Sequence, residues 1–350
     1  MLARLALLGY HGGMEKNANA RPRRFVNQLQ AGEVVEDQVF LIDAKDLRTT
    51  TNGSLYIHCV LRDKTGQILA RVWQATQPMF DQMPEGGFMR FKGRVENYKG
   101  ALQFIIDAMR PCEAGSIDLC DFMPQTEEDI DVMFEQVKHA LRSIKNPYVL
   151  QLIKQFVCDE KLMAGFKKAP AAVQMHHAFI GGLLEHTRNV LELALLVVPR
   201  YPDVSLDLVL AGLFLHDLGK TAELTYDTSF QYSNRGQLVG HIVQCAIWIE
   251  EKIKLVEAEM GQPFPPEIRD ALQHLVLSHH GTYEFGSPKL PAMPEAVAIH
   301  YLDNLDAKLQ MYLHRIKSDP DPASDWTEYV RGLDTKIYKK DVLNIRGQRK

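Results

Sequence analysis

The chain has 350 residues, of which 46% are hydrophobic and 24% are charged, and its formal net charge is −4. This composition is typical of a soluble globular protein of about two domains, and no run approaches the roughly 18 apolar residues that a membrane span needs. Five scattered cysteines without a CxxC pair argue against a disulfide framework and a zinc ribbon, and they favour a reducing cytoplasm.

Residues 1–24 are interpreted as a flexible N-terminal extension that takes no part in a fold. The apolar run within Met1–Gly13 is short and is followed by no small-residue cleavage site, so it makes a poor secretory signal. Met14 is an alternative start, and the sequence leaves open which of the two methionines begins translation.

Residues 25–112 show the alternation of apolar and polar residues that is typical of strands. A short helical segment, Ala75–Met83, separates the third strand from the fourth. Five short strands with a break at that point predict a small all-β barrel of the OB type. The predicted strands are Val34–Lys45, Leu55–Leu61, Ile68–Trp73, Phe88–Glu96 and Ala101–Ala108.

This barrel region carries the two kinds of side chain with which OB domains bind single-stranded nucleic acid, aromatic rings for bases and cations for phosphates. Between residues 21 and 110 there are 13 Lys and Arg against 10 Asp and Glu, a mildly basic balance. For any single aromatic residue a core position is the alternative, and Tyr98 in a turn is the one expected to be exposed. The candidate nucleic-acid-binding residues are Tyr56, Arg71, Trp73, Lys92, Arg94, Tyr98 and Lys99.

The rest of the chain is predicted to be helical. Residues 113–160 form a linker and connecting helices, residues 161–320 an all-α domain, and residues 321–350 a C-terminal tail. Thr225–Gly236 is polar and predicted to be irregular. The helices are predicted at Thr126–Lys145, Tyr148–Asp159, Phe166–Ala169, Phe179–Val198, Asp207–Leu218, Leu238–Glu259, Pro266–Leu277 and Glu295–Lys317.

The stretch Leu208–Lys220, LVLAGLFLHDLGK, is too densely apolar for an exposed helix and predicts one that is buried on most sides. His216 and Asp217 stand at its end, and buried polar groups without partners are costly. A divalent cation would satisfy both side chains. Ten of the thirteen histidines lie between His176 and His314, and His and Asp ligands suit Mn, Fe, Co, Ni or Zn better than Ca.

His186, His216-Asp217 and Asp303 match the H…HD…D signature of the HD-domain metal-dependent phosphohydrolases. The longer phrases HHAFIGGLLEHT, HDLGK, LSHHG and HYLDNLDAK resemble the YhaM-type 3′-to-5′ exoribonucleases of bacteria, in which an OB domain precedes the HD domain. The resemblance extends from about Phe25 to Lys317.

The resemblance implies two metal ions, Mn²⁺ first and Co²⁺ or Fe²⁺ as alternatives, and hydrolysis of single-stranded RNA, with single-stranded DNA left open. His186, His216, Asp217 and Asp303 would hold one ion. Asp217 would bridge to a second ion held by His241 and His279, and His280 would complete that site or face the substrate. The catalytic residues would be Asp217, Lys220 and His241.

Several roles have two interpretations. Lys220 would contact phosphate oxygens or be a solvated lysine at a helix end. Asp306 would orient a ligand or form an ion pair with Lys220 or Arg188. His176-His177 would bind phosphate or cap the next helix.

Two other functions also fit the pattern. One is an HD phosphohydrolase of small nucleotides or cyclic dinucleotides with a regulatory OB domain. The other is a nucleic-acid-binding module whose metal site is structural or inactive. No membrane partner is expected, and the sequence leaves formation of a homo-oligomer open.

Overall fold

The computed structural model describes residues 23–98, 100–113, 117–118, 121–173, 177–226, 230–319, 321 and 324–345. The chain divides into two compact units between Ile117 and Asp118. The finer boundaries expected from the sequence, at residues 24, 112, 160 and 320, stay predictions. Within the described residues no helix has both the length and the apolar character needed to cross a membrane.

The first unit is a closed five-stranded barrel in the order β1-β2-β3-β5-β4, which confirms the predicted OB-type fold. All neighbouring strands are antiparallel except β3 and β5, which are parallel. A short helix, α1 (Gln77–Gln82), lies between β3 and β4 as predicted. The strands are β1 (Val34–Thr49), β2 (Leu55–Asp63), β3 (Gly66–Val72), β4 (Phe88–Tyr98) and β5 (Ala101–Pro111).

Buried residues alternate with more exposed ones along β2, β3 and β4, since successive side chains of a strand point to opposite faces, whereas β1 and β5 each contain a run of consecutive buried residues. Phe40, Phe91 and Phe104 are fully buried in the barrel interior, and the ring centroid of Phe40 lies 6.4 Å from that of Phe91 and 6.0 Å from that of Phe104. On β2 and β3 the alternation turns Tyr56 and Arg71 outward. The pattern that closes the core therefore also sets the outer face of the barrel.

The second unit is helical and is built around α6, whose residues from Val209 to Leu215 are all buried. Helices α2, α3, α5, α10 and α11 contact α6. The prediction of a helix buried on most sides is confirmed. The longer helices are α2 (Ile130–Leu141), α3 (Pro147–Val157), α4 (Glu160–Lys168), α5 (Gly182–Val197), α6 (Leu206–Leu215), α9 (Gly240–Met260), α10 (Pro266–Ser278) and α11 (Pro294–Lys317).

Three local predictions in this unit were wrong. Helix α4 begins six residues before the predicted Phe166, because the Asp159 side chain caps it by accepting from the Leu162 N–H at 3.1 Å. The predicted helix Leu238–Glu259 is broken at Val239, which separates α8 (Asn234–Leu238) from α9. The segment predicted to be irregular, Thr225–Gly236, contains most of a short antiparallel pair, in which β6 (Leu224–Thr225) pairs with β7 (Gln231–Tyr232).

Candidate metal centre

The histidines and aspartates singled out in the sequence lie on three helices and in the turns that follow two others. His186 is on α5, His241 in the first turn of α9, and Asp303 on α11. His216 and Asp217 follow α6, and His279 and His280 follow α10. All except Asp303 and His280 are buried. Segments up to 117 residues apart therefore bring these side chains to one place.

The two carboxylate oxygens of Asp217 face two different pairs of histidines. Oδ2 lies 3.4 Å from the Nε2 atom of His216 and 3.9 Å from that of His186. Oδ1 lies 3.4 Å from the Nε2 atom of His241 and 3.7 Å from that of His279. Asp217 is thus shared by two clusters, as a carboxylate that bridges two cations would be.

Asp303 and His280 extend these two clusters. The Oδ1 atom of Asp303 is 3.1 Å from the Nε2 atom of His186 and 3.8 Å from that of His216, which puts it in the first cluster. His280 belongs with the second, since each of His241, His279 and His280 offers a ring nitrogen within 4.8 Å of the other two. All seven residues predicted as metal ligands are therefore brought together.

Each of the five histidines is oriented in the same way, by a hydrogen bond that its Nδ1 atom donates to an oxygen atom. Such a bond fixes the tautomer and directs Nε2 as the ligand atom. The acceptors and distances are Asp306 Oδ2 for His186 (2.7 Å), the Leu213 carbonyl for His216 (2.7 Å), Glu223 Oε1 for His241 (2.9 Å), the Val276 carbonyl for His279 (2.7 Å) and the Phe285 carbonyl for His280 (2.7 Å).

Three buried atoms at the centre have no hydrogen-bond partner among the described residues, namely Asp217 Oδ1, His241 Nε2 and His279 Nε2. Because both Nδ1 atoms are donors, the two Nε2 atoms present lone pairs toward a carboxylate oxygen that is also an acceptor. Lone pairs that face one another in a buried site are unfavourable unless a cation lies between them. The residues present therefore fit a divalent metal ion.

The charges of the centre are balanced by Lys220, whose Nζ atom donates to Asp217 Oδ2 at 2.6 Å. Burial opposes ionisation of Asp217, but attraction to Lys220 and the interaction with His216 hold the pKa of its carboxyl group well below the usual value. Burial and the neighbouring His280 and His216 lower the pKa of His279, so its ring is neutral and able to act as a ligand.

His186 is the one ring of the centre whose pKa is raised. Burial alone would lower that pKa, but hydrogen bonds to Asp303 and Asp306 raise it to about 10. The Nε2 proton that this implies lies between His186 and Asp303, at the position that a cation in the first cluster would take.

Comparison with known proteins places this centre in a family. The family model of the HD domain matches residues 183–308. The 3′-5′ exoribonuclease YhaM of Geobacillus sp. (strain WCH70) is 34% identical over 319 residues, which are 90% of this chain and 94% of that protein. For the YhaM of Bacillus subtilis (strain 168) the identity is 35% over 319 residues, which are 90% of this chain and 97% of that protein.

The chain belongs to the YhaM family of 3′-5′ exoribonucleases. It is therefore an enzyme with an HD hydrolase domain, a hydrolase of phosphodiester bonds. Among solved structures, the second OB-fold domain of replication protein A from Methanococcus maripaludis is 17% identical, and the match covers 28% of this chain and 100% of that domain with a TM-score of 0.22. The strand order of the barrel, and not this overlap, carries the OB assignment.

Around the centre, Asp306 connects two histidines. Its Oδ2 atom accepts from His186 and lies 2.9 Å from Nε2 of His177, and its Oδ1 atom accepts from Asn189 at 3.0 Å. The interpretation as a residue that orients a ligand is supported. The ion pair with Lys220 or Arg188 was wrong, because Lys220 contacts Asp217 and Arg188 contacts Glu128.

His177 neither caps α5 nor lies exposed to a phosphate. It is buried against Asp306, and the N-cap of α5 is Gly181. His176 lies outside the described residues. Sequence reasoning missed Glu223, which accepts from both the backbone N–H and the ring of His241. The sequence feature that could have identified Glu223 is its position, three residues after Lys220 in a short polar segment.

Four of the predicted nucleic-acid-binding residues form one surface cluster on the barrel. The rings of Tyr56 and Trp73 are 5.2 Å apart, and the Arg71 guanidinium lies 5.5 Å from the ring centroid of Trp73 and 5.3 Å from that of Tyr98. Trp73 is 43% exposed and Tyr98 is 47% exposed, as predicted for Tyr98. Adjacent aromatic rings and a guanidinium together form a surface suited to nucleobases and phosphate.

Two of the other three predicted residues form ion pairs with acidic neighbours. Lys92 forms an ion pair with Glu36 at 2.9 Å. Arg94 pairs with Glu96 at 2.9 Å and Asp107 at 2.8 Å, so acidic neighbours already balance its charge. Lys99 lies outside the described residues.

Proposed function

We propose that the chain is a metal-dependent 3′-5′ exoribonuclease that removes nucleoside monophosphates from single-stranded RNA, with single-stranded DNA as a further substrate. The observation that carries the proposal is the position of Asp217, whose two carboxylate oxygens face separate pairs of histidines. On the side of Oδ1, the buried Oδ1 atom and the Nε2 atoms of His241 and His279 have no hydrogen-bond partner among the described residues. The relatives at 34–35% identity are named for the same reaction.

The proposed cofactors are two divalent cations, with Mn²⁺ the first choice for His and Asp ligands and Co²⁺ or Fe²⁺ as alternatives. Bound cations would supply Lewis-acid activation of water and stabilise charge on the phosphate oxygens. His186, His216 and Asp303 would hold the first. His241, His279 and His280 would hold the second, and Asp217 would serve both.

Lys220 is proposed as the side chain that positions the scissile phosphate. Its ammonium group is mostly buried beside Asp217, and the attraction of that carboxylate raises its pKa against the effect of burial, so the positive charge persists. A cation held 2.6 Å from a metal-bridging carboxylate is placed to neutralise a non-bridging phosphate oxygen.

The barrel is proposed to hold the RNA strand upstream of the cleaved end. Tyr56, Arg71, Trp73 and Tyr98 offer rings for bases and a cation for the backbone, a combination that tolerates any sequence. We keep the OB domain at residues 25–112 and the HD domain at residues 161–320 as the proposed domain boundaries.

A time course on single-stranded RNA labelled at the 5′ end, with added Mn²⁺, tests the proposal. The wild type is expected to give a ladder that shortens from the 3′ end, with release of monophosphates. Asp217→Asn should lower kcat by at least about 1000-fold, because the bridging charge at the centre of both clusters is lost. Asp270→Asn, on the exposed face of α10, is the matched control and should leave the rate unchanged.

Two results would contradict the proposal. If the metal-loaded wild type leaves the RNA intact, RNA is not the substrate, and small nucleotides become the substrates to test. Full activity of Asp217→Asn would show that the bridging carboxylate is not part of the reaction.

A further inference from the structure

The segment that follows His279 and His280 carries two exposed aromatic residues, Tyr283 and Phe285. His280 donates from Nδ1 to the carbonyl oxygen of Phe285 at 2.7 Å, so the residue that orients this candidate ligand is itself part of the next turn. That turn is a short 3-10 helix, Tyr283–Phe285, which ends at Gly286. The side chains of Tyr283 and Phe285 are 62% and 68% exposed.

The turn is held in a defined shape by hydrogen bonds at its base. The buried Ser287 hydroxyl lies 3.1 Å from the carbonyl oxygen of Leu277, in the last turn of α10, and 2.7 Å from that of Lys289. The backbone N–H of Ser287 donates to the Thr282 carbonyl at 3.1 Å. The rings are therefore carried by an anchored loop, which lowers the entropy lost when a ligand stacks on them.

The loop with the two exposed rings follows directly after two candidate ligands of a centre that hydrolyses phosphodiester bonds. The ligand that fits exposed aromatic rings at such a place is a planar nucleobase. Base stacking on an aromatic side chain does not depend on which base is present, because every base has a π-face. If the scissile phosphate lies at Asp217, the 3′-terminal nucleotide lies near His280, which belongs to the same centre. The base of that nucleotide is then close enough to reach the turn that follows His280.

We propose that Tyr283 and Phe285 form a stacking site for the nucleobase at the 3′ end of the substrate. The inference rests on the proposed function and deepens it, because it assigns to the helical unit a nucleobase contact separate from that of the barrel. The two rings position the terminal nucleotide and take no part in bond breaking.

The test compares the wild type with the double variant Tyr283→Leu/Phe285→Leu, which keeps apolar side chains but removes the rings. Two RNA oligonucleotides are used, identical except that one has an abasic 3′-terminal nucleotide. The wild type is expected to cleave the abasic end with a kcat/KM about 5- to 150-fold lower, the range that loss of one stacked base gives. In the double variant the ratio of the two kcat/KM values should fall to about one.

A spectroscopic measurement separates stacking from a merely structural effect. RNA with 2-aminopurine at its 3′ end, bound to Asp217→Asn protein that cannot turn it over, should show quenched fluorescence when the base stacks on a ring. The quenching should disappear when the two leucine substitutions are added. Tyr201→Leu is the matched control, a tyrosine that is 60% exposed before the N-terminus of α6, and it should change neither measurement.

The outcomes distinguish the stacking site from the reaction itself. Hydrolysis of both oligonucleotides at equal rates by the wild type overturns the stacking site and leaves the exoribonuclease in place. Retention of the normal-to-abasic ratio by the double variant also overturns it. Absence of RNA hydrolysis by the wild type overturns the proposed function, and the stacking site with it.

Discussion

Carboxylates orient two of the five clustered histidines, and backbone carbonyls orient the other three. Asp306 accepts from His186 in the first cluster, and Glu223 accepts from His241 in the second. An anionic acceptor makes the ring opposite it more basic than a neutral carbonyl does, which strengthens its bond to a metal. Each cluster therefore contains one histidine whose affinity for a cation is raised by a buried acid.

Neutralising those acids should weaken metal binding without dismantling the site. Glu223→Gln and Asp306→Asn keep the shape of each side chain but remove its charge, and each is expected to raise the Kd for Mn²⁺ by about 10- to 100-fold. Calorimetric titration of Mn²⁺ into the metal-free protein measures this effect. Excess Mn²⁺ should restore RNA hydrolysis in both variants.

Glu192→Gln, on an exposed position of α5, is the control for these charge changes and should leave the Kd unaltered. Unchanged Mn²⁺ affinity in both Glu223→Gln and Asp306→Asn would mean that the buried acids act only in folding.

At the scale of elements, two glycines allow segments of the centre to pack in close contact. A Cβ at Gly219 would lie 2.1 Å from the carbonyl oxygen of His241, so only glycine allows the turn after α6 to pack on the start of α9. A Cβ at Gly281 would lie 2.2 Å from the ring of His300, which in turn donates to the carbonyl of His279 at 2.8 Å. His300 on α11 therefore supports the second cluster without being one of its ligands.

Gly219→Ala is expected to separate Asp217 from His241. Overpacking of this kind costs about 1–3 kcal/mol of the free energy of unfolding, and a displacement of catalytic groups by about 1 Å lowers kcat by about 100-fold. Chemical denaturation and a steady-state RNA assay measure the two effects. Gly165→Ala in α4 is the control, since its added Cβ would meet Thr221 at an ordinary 3.5 Å.

An activity loss equal in the Gly219 and Gly165 variants would point to a general effect of added volume. Wild-type kcat in Gly219→Ala would mean that the contact with α9 is not needed for the geometry of the centre.

At the scale of the whole molecule, the proposed function gives the two units two kinds of recognition. The barrel displays adjacent aromatic rings beside a guanidinium, and the helical unit contains the candidate metal centre. A long RNA can use both units, whereas a dinucleotide is too short to occupy several stacking positions as well as the centre. Substrate length should therefore separate the contribution of the barrel from that of the centre.

Trp73→Leu is expected to weaken binding of a 20-nucleotide RNA by about 5- to 150-fold, the range for one lost base stack, and to leave kcat/KM for a dinucleotide unchanged. Fluorescence anisotropy in EDTA gives the Kd, and a dinucleotide assay with Mn²⁺ gives kcat/KM. Trp326→Leu is the matched control, an exposed tryptophan of the second unit. Equal losses on both substrates would contradict a separate binding role for the barrel.

The sequence by itself determined the two folds and the members of the centre. Strand alternation, the dense apolar run of α6 and the HD pair are local patterns, and burial of apolar side chains enforces them regardless of the rest of the chain. The similarity of the motifs to a known family supplied Asp303 and the second group of histidines. The chemistry of a divalent cation accounts for the use of His and Asp, and the family resemblance accounts for which of them were named.

Only the tertiary structure decided which groups orient the ligands. Glu223 and Asp306 reach their histidines through contacts that no local spacing encodes, since Glu223 is 18 residues from His241 and Asp306 is 120 residues from His186. The same holds for Arg94, whose charge acidic neighbours balance at the barrel surface. A side-chain contact between distant segments depends on how whole helices and strands pack, and that packing is a property of the folded chain.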